Sequence, residues 1–210
     1  MKTKKDIVKI ALKIFLIKGY ELTTISDIIS ESKLSKGGLY YHFKNKEEIF
    51  SKSINYLFQE IDKRKLNIYE NITNIDDLLN MFLNLFMTKL SKILGNITNS
   101  NQITVDNFYQ LITEASLKFP FIAKKYNEFQ RSNQKLLYDL LLIFQQKKEI
   151  KSECDCKLFS LMVSLLTEGA LLNNFATKEV NNRENYEKIF HYIRNELLNE
   201  NINQNKGVKK

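Results

Sequence analysis

A chain of 210 residues with one proline and six glycines has few places to turn tightly. Hairpins and many-stranded sheets draw heavily on those two residues. No segment alternates apolar and polar residues over a useful length, whereas apolar residues recur at i, i+3, i+4 and i+7 through most of the chain. The expected fold class is all-α. The length supports a real core in one large or two small domains. No run approaches the roughly 18 to 20 apolar residues of a membrane span, and the N-terminus lacks the long apolar stretch of a signal peptide. A cytoplasmic location with no membrane partner follows as the expectation. Cys154 and Cys156, separated by one residue, are too close for an ordinary disulfide and have no histidine beside them for a metal site. They are read as reduced thiols, with redox sensing as the alternative.

Helix signals are clear along the chain. Ile7, Ile10, Ala11, Ile14 and Phe15 form the first stripe, over 4–18, with Gly19 as its stop. Thr24 with Asp27 opens a second helix that buries Ile25, Ile28 and Ile29. Ser35 caps a third, ending near Phe43. Asn45 with Glu48 opens a fourth that continues to about residue 65. Further helices are expected over 75–94, 104–118, 120–148 with Pro120 at its first position, 158–176 and 184–198. The 158–176 segment is apolar almost all round, which predicts burial on several sides.

The third helix has an unusual outward face. Leu39 and Phe43, four apart, can pack inward together. The opposite face carries Gly37, Gly38 and Tyr41, flanked by Tyr40 and His42. A solvated helix would carry Glu and Lys there. Glycine lets a backbone approach a partner closely, and Tyr and His offer hydrogen bonds and apolar contacts beside it. That combination fits a DNA groove. Charge agrees: residues 1–52 hold 11 lysines and 6 acids, residues 201–210 hold 3 lysines and no acid, and residues 53–200 hold 18 basic and 18 acidic residues. A basic end joined to a neutral body suits a polyanion-binding domain.

Phe15, Lys18-Gly19-Tyr20, Thr23-Thr24-Ile25-Ser26-Asp27-Ile28 and the run from Ser35 to Glu48 together resemble the DNA-binding domain of TetR-family transcriptional regulators. The resemblance covers about the first fifty residues. It implies a three-helix DNA-binding domain with a helix-turn-helix at 1–48, a larger helical ligand-binding and dimerisation domain at 49–200, and a polar basic tail at 201–210, read as disordered. The family usually has glycine where Lys33 stands and alanine where Ile29 stands. A left-handed Lys33 would cost about 1 kcal/mol relative to glycine.

The expected double-stranded DNA contacts are Thr23, Thr24, Lys36, Gly37, Gly38, Tyr40, Tyr41, His42 and Lys46. Lys36 and Lys46 sit at helix N-termini, where a cation is disfavoured and a bound phosphate would relieve the cost. Thr24 is primarily a cap.

In the body, an unknown small-molecule ligand is expected against aromatic and polar groups drawn from Phe82, Phe86, Asn107, Tyr109, Glu114, Tyr126, Gln130 and Asn133. A homodimer is expected through the last two helices, using Gly169, Ala170, Tyr186, Ile189, Phe190, Ile193 and Leu197. His191, beside that stripe, reads as structural. No cofactor, metal or catalytic constellation is evident. The implied function is a ligand-responsive repressor on a palindromic operator. The alternative is a constitutive or architectural DNA-binding protein without an inducer pocket. An enzyme with a DNA-tethering module has no support in the sequence.

Overall fold

The computed structural model describes residues 3–69, 71–84, 90–177 and 183–198. The 201–210 tail therefore lies outside the described residues. In chain order the helices are α1 (Lys4–Leu22), α2 (Ile25–Ser32), α3 (Lys36–His42), α4 (Lys46–Tyr69), α5 (Ile75–Asn84), α6 (Leu90–Thr98), α7 (Val105–Lys118), α8 (Pro120–Gln146), α9 (Cys156–Thr177) and α10 (Arg183–Leu197). Among the described residues there is no strand, only an isolated bridge between Ile150 and Leu198. The all-α expectation holds.

The helices form two compact units, Met1–Glu70 with Thr88–Asn127, and Asn71–Met87 with Glu128–Lys210. In the first unit α1 packs on α2, α4, α6 and α7. Ile7, Leu12 and Phe15 of α1 meet a core that also holds Ile28, Leu39, Ile54, Leu57 and Phe108, all at most 1% exposed. Truncating a phenylalanine so placed costs roughly 3–5 kcal/mol, which makes α1 the spine of the unit. An aromatic cluster closes one end: Tyr20 lies 4.7 Å from Phe50 and 4.8 Å from Phe119, and Phe15 lies 4.9 Å from Phe50.

Helix ends follow local chemistry. Gly19 takes φ 78° and ψ 172°, a conformation open in practice to glycine alone, and interrupts α1. A Cβ there would also lie 2.7 Å from the Glu114 carboxylate, but that flexible side chain can swing aside, so the backbone conformation is what selects glycine. Lys33 is left-handed, with φ 55° and ψ 30°, and its N–H donates to the Ser30 carbonyl at the end of α2. Of the three isoleucines expected inside α2 only Ile28 is buried; Ile25 and Ile29 are half-buried, since an eight-residue helix turns a narrow face to its neighbours.

Of the helix expected over 75–94, the described residues give α5 and the start of α6; residues 85–89 lie outside the described residues. α6 runs on to Thr98, where left-handed Asn99 and a Ser100 N–H bond to the Gly95 carbonyl stop it.

In the second unit α10 packs on α5, and Arg194 donates to Asp76 across that contact at 2.7 Å. The Gln145 amide grips the carbonyls of Lys151, Ser152 and Cys154, which fixes the connection into α9. Among its described residues, α9 is buried along one side of the chain's own fold and not on several. Cys156, Ser160 and Val163 face inward, while Leu158, Leu161, Met162, Leu165, Leu166 and Leu172 are each 41–62% exposed. The uniform apolarity of α9 conceals two different faces.

Candidate nucleic-acid interface

The surface is built on α3, and α3 is held by its apolar side. Leu39 is fully buried and Phe43 is 2% exposed. Ser35 caps the helix, its hydroxyl accepting from the Gly38 N–H at 3.0 Å. The Lys4 ammonium covers the Phe43 ring at 4.9 Å. Two capping arrangements hold the neighbours. The Thr24 hydroxyl accepts from the Asp27 N–H while the Asp27 carboxylate accepts from the Thr24 N–H. Asn45 accepts from the Glu48 N–H, and the Glu48 carboxylate reaches back to the Lys44 N–H rather than to that of Asn45.

Asp27 also takes the Lys18 ammonium at 2.7 Å, tying α2 to α1. The Lys18 hydrogen bond, followed by those from Thr24, holds the Asp27 carboxyl down to a pKa of about 2. Glu48 is likewise lowered, first by the Lys44 N–H and then by Lys4.

What remains outward is the glycine and aromatic face. Tyr41 is 80% and Tyr40 44% exposed. His42 is half-buried and meets the Tyr41 ring edge-on at 5.1 Å. Lys36 and Gly37 are exposed, and a Cβ on Gly37 would touch nothing within 4 Å. Nothing inside the chain asks for glycine there. Gly38 differs, because a Cβ would sit 3.2 Å from the Ser35 hydroxyl and press on the cap.

Three of the expected contacts are placed otherwise. Thr23 is fully buried and its hydroxyl donates to the Gly19 carbonyl at 2.7 Å, so its side chain cannot reach a ligand. The Thr24 hydroxyl is engaged by Asp27, as its role as a cap requires. Lys46 turns its ammonium inward onto the carbonyls of Tyr20, Glu21 and Thr23 and over the Tyr20 ring, so the cost of a cation at a helix start is met within the chain.

The body residues divide similarly. In the first unit the hydroxyls of Tyr109 and Tyr126 meet at 3.2 Å beside Phe108. Asn107 accepts from the Thr104 N–H and is spent as a cap of α7, and Glu114 lies under Gly19 against α1. In the second unit Gln130 donates to Glu168 and accepts from Asn133. Phe86 lies outside the described residues, as do the side chains of Phe82, Tyr186 and Phe190.

Of the expected pairing residues, Gly169 and Ile189 are exposed and Ala170 is half-buried. Ile193 and Leu197, at 6% and 2%, are instead core of the second unit. The exposed α9 row and Tyr192, 68% exposed, add apolar surface on the two helices expected to pair. Among the described residues no group of three metal-ligating side chains occurs and no helix is long and apolar enough to cross a membrane.

Residues 7–52 match the family model of bacterial regulatory proteins, tetR family. The chain is 35% identical over 102 residues to the uncharacterized HTH-type transcriptional regulator YuxN of Bacillus subtilis, covering 40% of this chain and 35% of that one. The chain thus spans about a third of that curated relative's length. It is 26% identical over 156 residues to the biofilm operon icaADBC HTH-type negative transcriptional regulator IcaR of Staphylococcus aureus, covering 71% of this chain and 83% of the relative. A TetR transcriptional regulator of Chloroflexus aurantiacus superposes with a TM-score of 0.74 at 21% identity, over 93% of this chain and 96% of the other.

Proposed function

We propose, because the chain belongs to the tetR family of bacterial regulatory proteins, that it is a DNA-binding transcriptional regulator acting as a repressor. The observation that carries the reading is the outward face of α3. Gly37 has open space where a side chain would stand, Tyr41 is the most exposed aromatic of the segment, and Leu39 and Phe43 lock the helix from behind. Glycine lets the backbone enter the major groove, and Tyr40, Tyr41 and His42 then meet phosphates, base edges and thymine methyls. Lys36, exposed beside them, adds a phosphate contact.

The chain acts as a homodimer on a palindromic operator. The exposed leucines of α9 supply the apolar surface for the pairing, and Gly169, with nothing within 4 Å of its Cβ position, lets the partner helix come close. Two reading helices then require half-sites about one helical turn apart, or a small multiple of that.

A small hydrophobic ligand releases the repressor. The paired hydroxyls of Tyr109 and Tyr126 beside Phe108 offer polar handles in aromatic surroundings. Phe58 of α4 lies 6.1 Å from Phe108, so a shift there reaches the helix that starts beside the reading surface. Coupling of about 1–3 kcal/mol changes operator affinity some 5- to 150-fold.

Selection of duplexes from a randomised library, followed by footprinting, tests this. A two-fold symmetric site is expected. Selection of no common sequence would overturn the reading. A body-binding compound that leaves affinity for the selected duplex unchanged is not the inducer. If every such compound behaved so, a constitutive DNA-binding protein would be the better description.

A further inference from the structure

We propose that Lys46 is a positioning residue for the reading helix: its ammonium clamps the connection between α1 and α2 onto the start of α4. The proposal rests on the DNA-binding reading above. Lys46 is the first residue of α4. Its Nζ lies 2.9 Å from the Tyr20 carbonyl oxygen, 2.9 Å from that of Thr23 and 3.4 Å from that of Glu21. An ammonium has three protons, and three carbonyls receive them. None is left for a phosphate.

The carbonyls belong to the stretch just past Gly19, where α1 ends in practice and its free acceptors favour a cation. That attraction offsets the repulsion from the start of α4. The cation also lies 4.2 Å from the Tyr20 ring centroid, and that ring is wedged against Phe50 and Phe119. The Thr23 hydroxyl closes the same connection onto the Gly19 carbonyl.

The gripped Thr23 carbonyl immediately precedes Thr24, the cap of α2. One side chain therefore ties the start of α2 to the start of α4, the two helices that flank α3 in sequence. Releasing it leaves the exposed face of α3 chemically unchanged but frees the helix to settle at another angle.

Lys46→Met keeps an unbranched stem over Tyr20 and removes the donors, and Lys46→Arg keeps the charge and donors in a different shape. The probes are a duplex selected by the wild-type protein from a randomised library and a scrambled duplex of equal length. In Lys46→Met the thermal midpoint without DNA is expected to fall. Affinity for the selected duplex should drop about tenfold or more while the scrambled duplex is bound nearly as before, since position rather than charge is lost. The slope of log affinity against log salt should not change, and Lys46→Arg should recover part of both losses. An unchanged midpoint, equal weakening on both duplexes and a slope reduced by about one would identify a phosphate contact and overturn the proposal. A lower midpoint with an unchanged selected-to-scrambled ratio, measured where the variant is folded, would reduce Lys46 to a stabilising residue and overturn it too. A wild-type protein that binds no duplex overturns the DNA-binding reading itself, whichever way the midpoint moves.

Discussion

Gly37 and Tyr41 stand one turn apart on the same face of α3, one with open space at its Cβ position and the other 80% exposed. Neither supports the fold, so stability and binding should separate there. Gly37→Ala places a methyl group in free space and improves helix propensity, by up to about 1 kcal/mol. The thermal midpoint should hold or rise by a few degrees. Affinity for a selected duplex should fall, because the methyl group now separates backbone from bases. A variant gaining stability with wild-type affinity would remove the reason for glycine at this position. Gly38 is the poorer site for such a test, since its Cβ would strain the Ser35 cap.

Acid should loosen the joint between α1 and α2. The carboxyl of Asp27 is depressed from 3.8 to about 2, chiefly by Lys18 and then by Thr24. A depressed folded-state value means that stability is fully present above the unfolded value and lost as the pH falls through the folded one. The window is therefore pH 4 down to 2. Denaturant midpoints of wild type and Asp27→Asn should differ at neutral pH and converge across that window. A constant difference down to pH 2 would contradict the assignment.

The exposed row of α9 and the buried row of α10 should respond oppositely to charge. Leu161→Glu with Leu165→Glu should give a folded monomer that binds the selected duplex weakly, because both side chains are open to a partner. Ile193→Glu should unfold the second unit, since a site 6% exposed takes a carboxylate out of water at high cost. Sedimentation with circular dichroism separates the two outcomes. A wild-type protein that sediments as a native monomer at micromolar concentration would rule out the dimer.

Cys154 and Cys156 should be sluggish thiols. Burial is the first cause raising both, and Cys154 is pushed from 9.0 up to about 11. The thiolate is the reactive form, so Cys154 should alkylate at pH 7 roughly a hundredfold more slowly than an unperturbed thiol. Labelling as fast as a free cysteine would restore redox sensing as a reading of the pair.

The legible parts of the sequence were the short-range ones. Thr24 with Asp27, Ser35 before Gly38, and Asn45 with Glu48 are contacts three residues apart, and all three appear as hydrogen bonds. Leu39 and Phe43, one turn apart, pack as their spacing requires. The illegible parts depend on distant partners. Lys46 reads as an unsatisfied cation until the carbonyls of residues 20–23 fold beneath it. Thr23 reads as a free hydroxyl until the break at Gly19 presents a carbonyl to it. α9 is apolar on every side, so nothing local says which face meets the chain's own core. Asn107 stands three residues past Thr104 at the start of α7, the spacing of a capping contact and not of a pocket lining.

The direct test of the reading surface is an anisotropy titration of a labelled selected duplex with wild type and Gly37→Glu, alongside thermal melts. Gly37 lies outward with nothing within 4 Å of its Cβ position, so the glutamate should leave the melt essentially unchanged. Its carboxylate would stand where phosphates and base edges approach, and specific binding should disappear. Binding of the selected duplex by a folded Gly37→Glu as tightly as by wild type would show that α3 is not the helix that reads DNA.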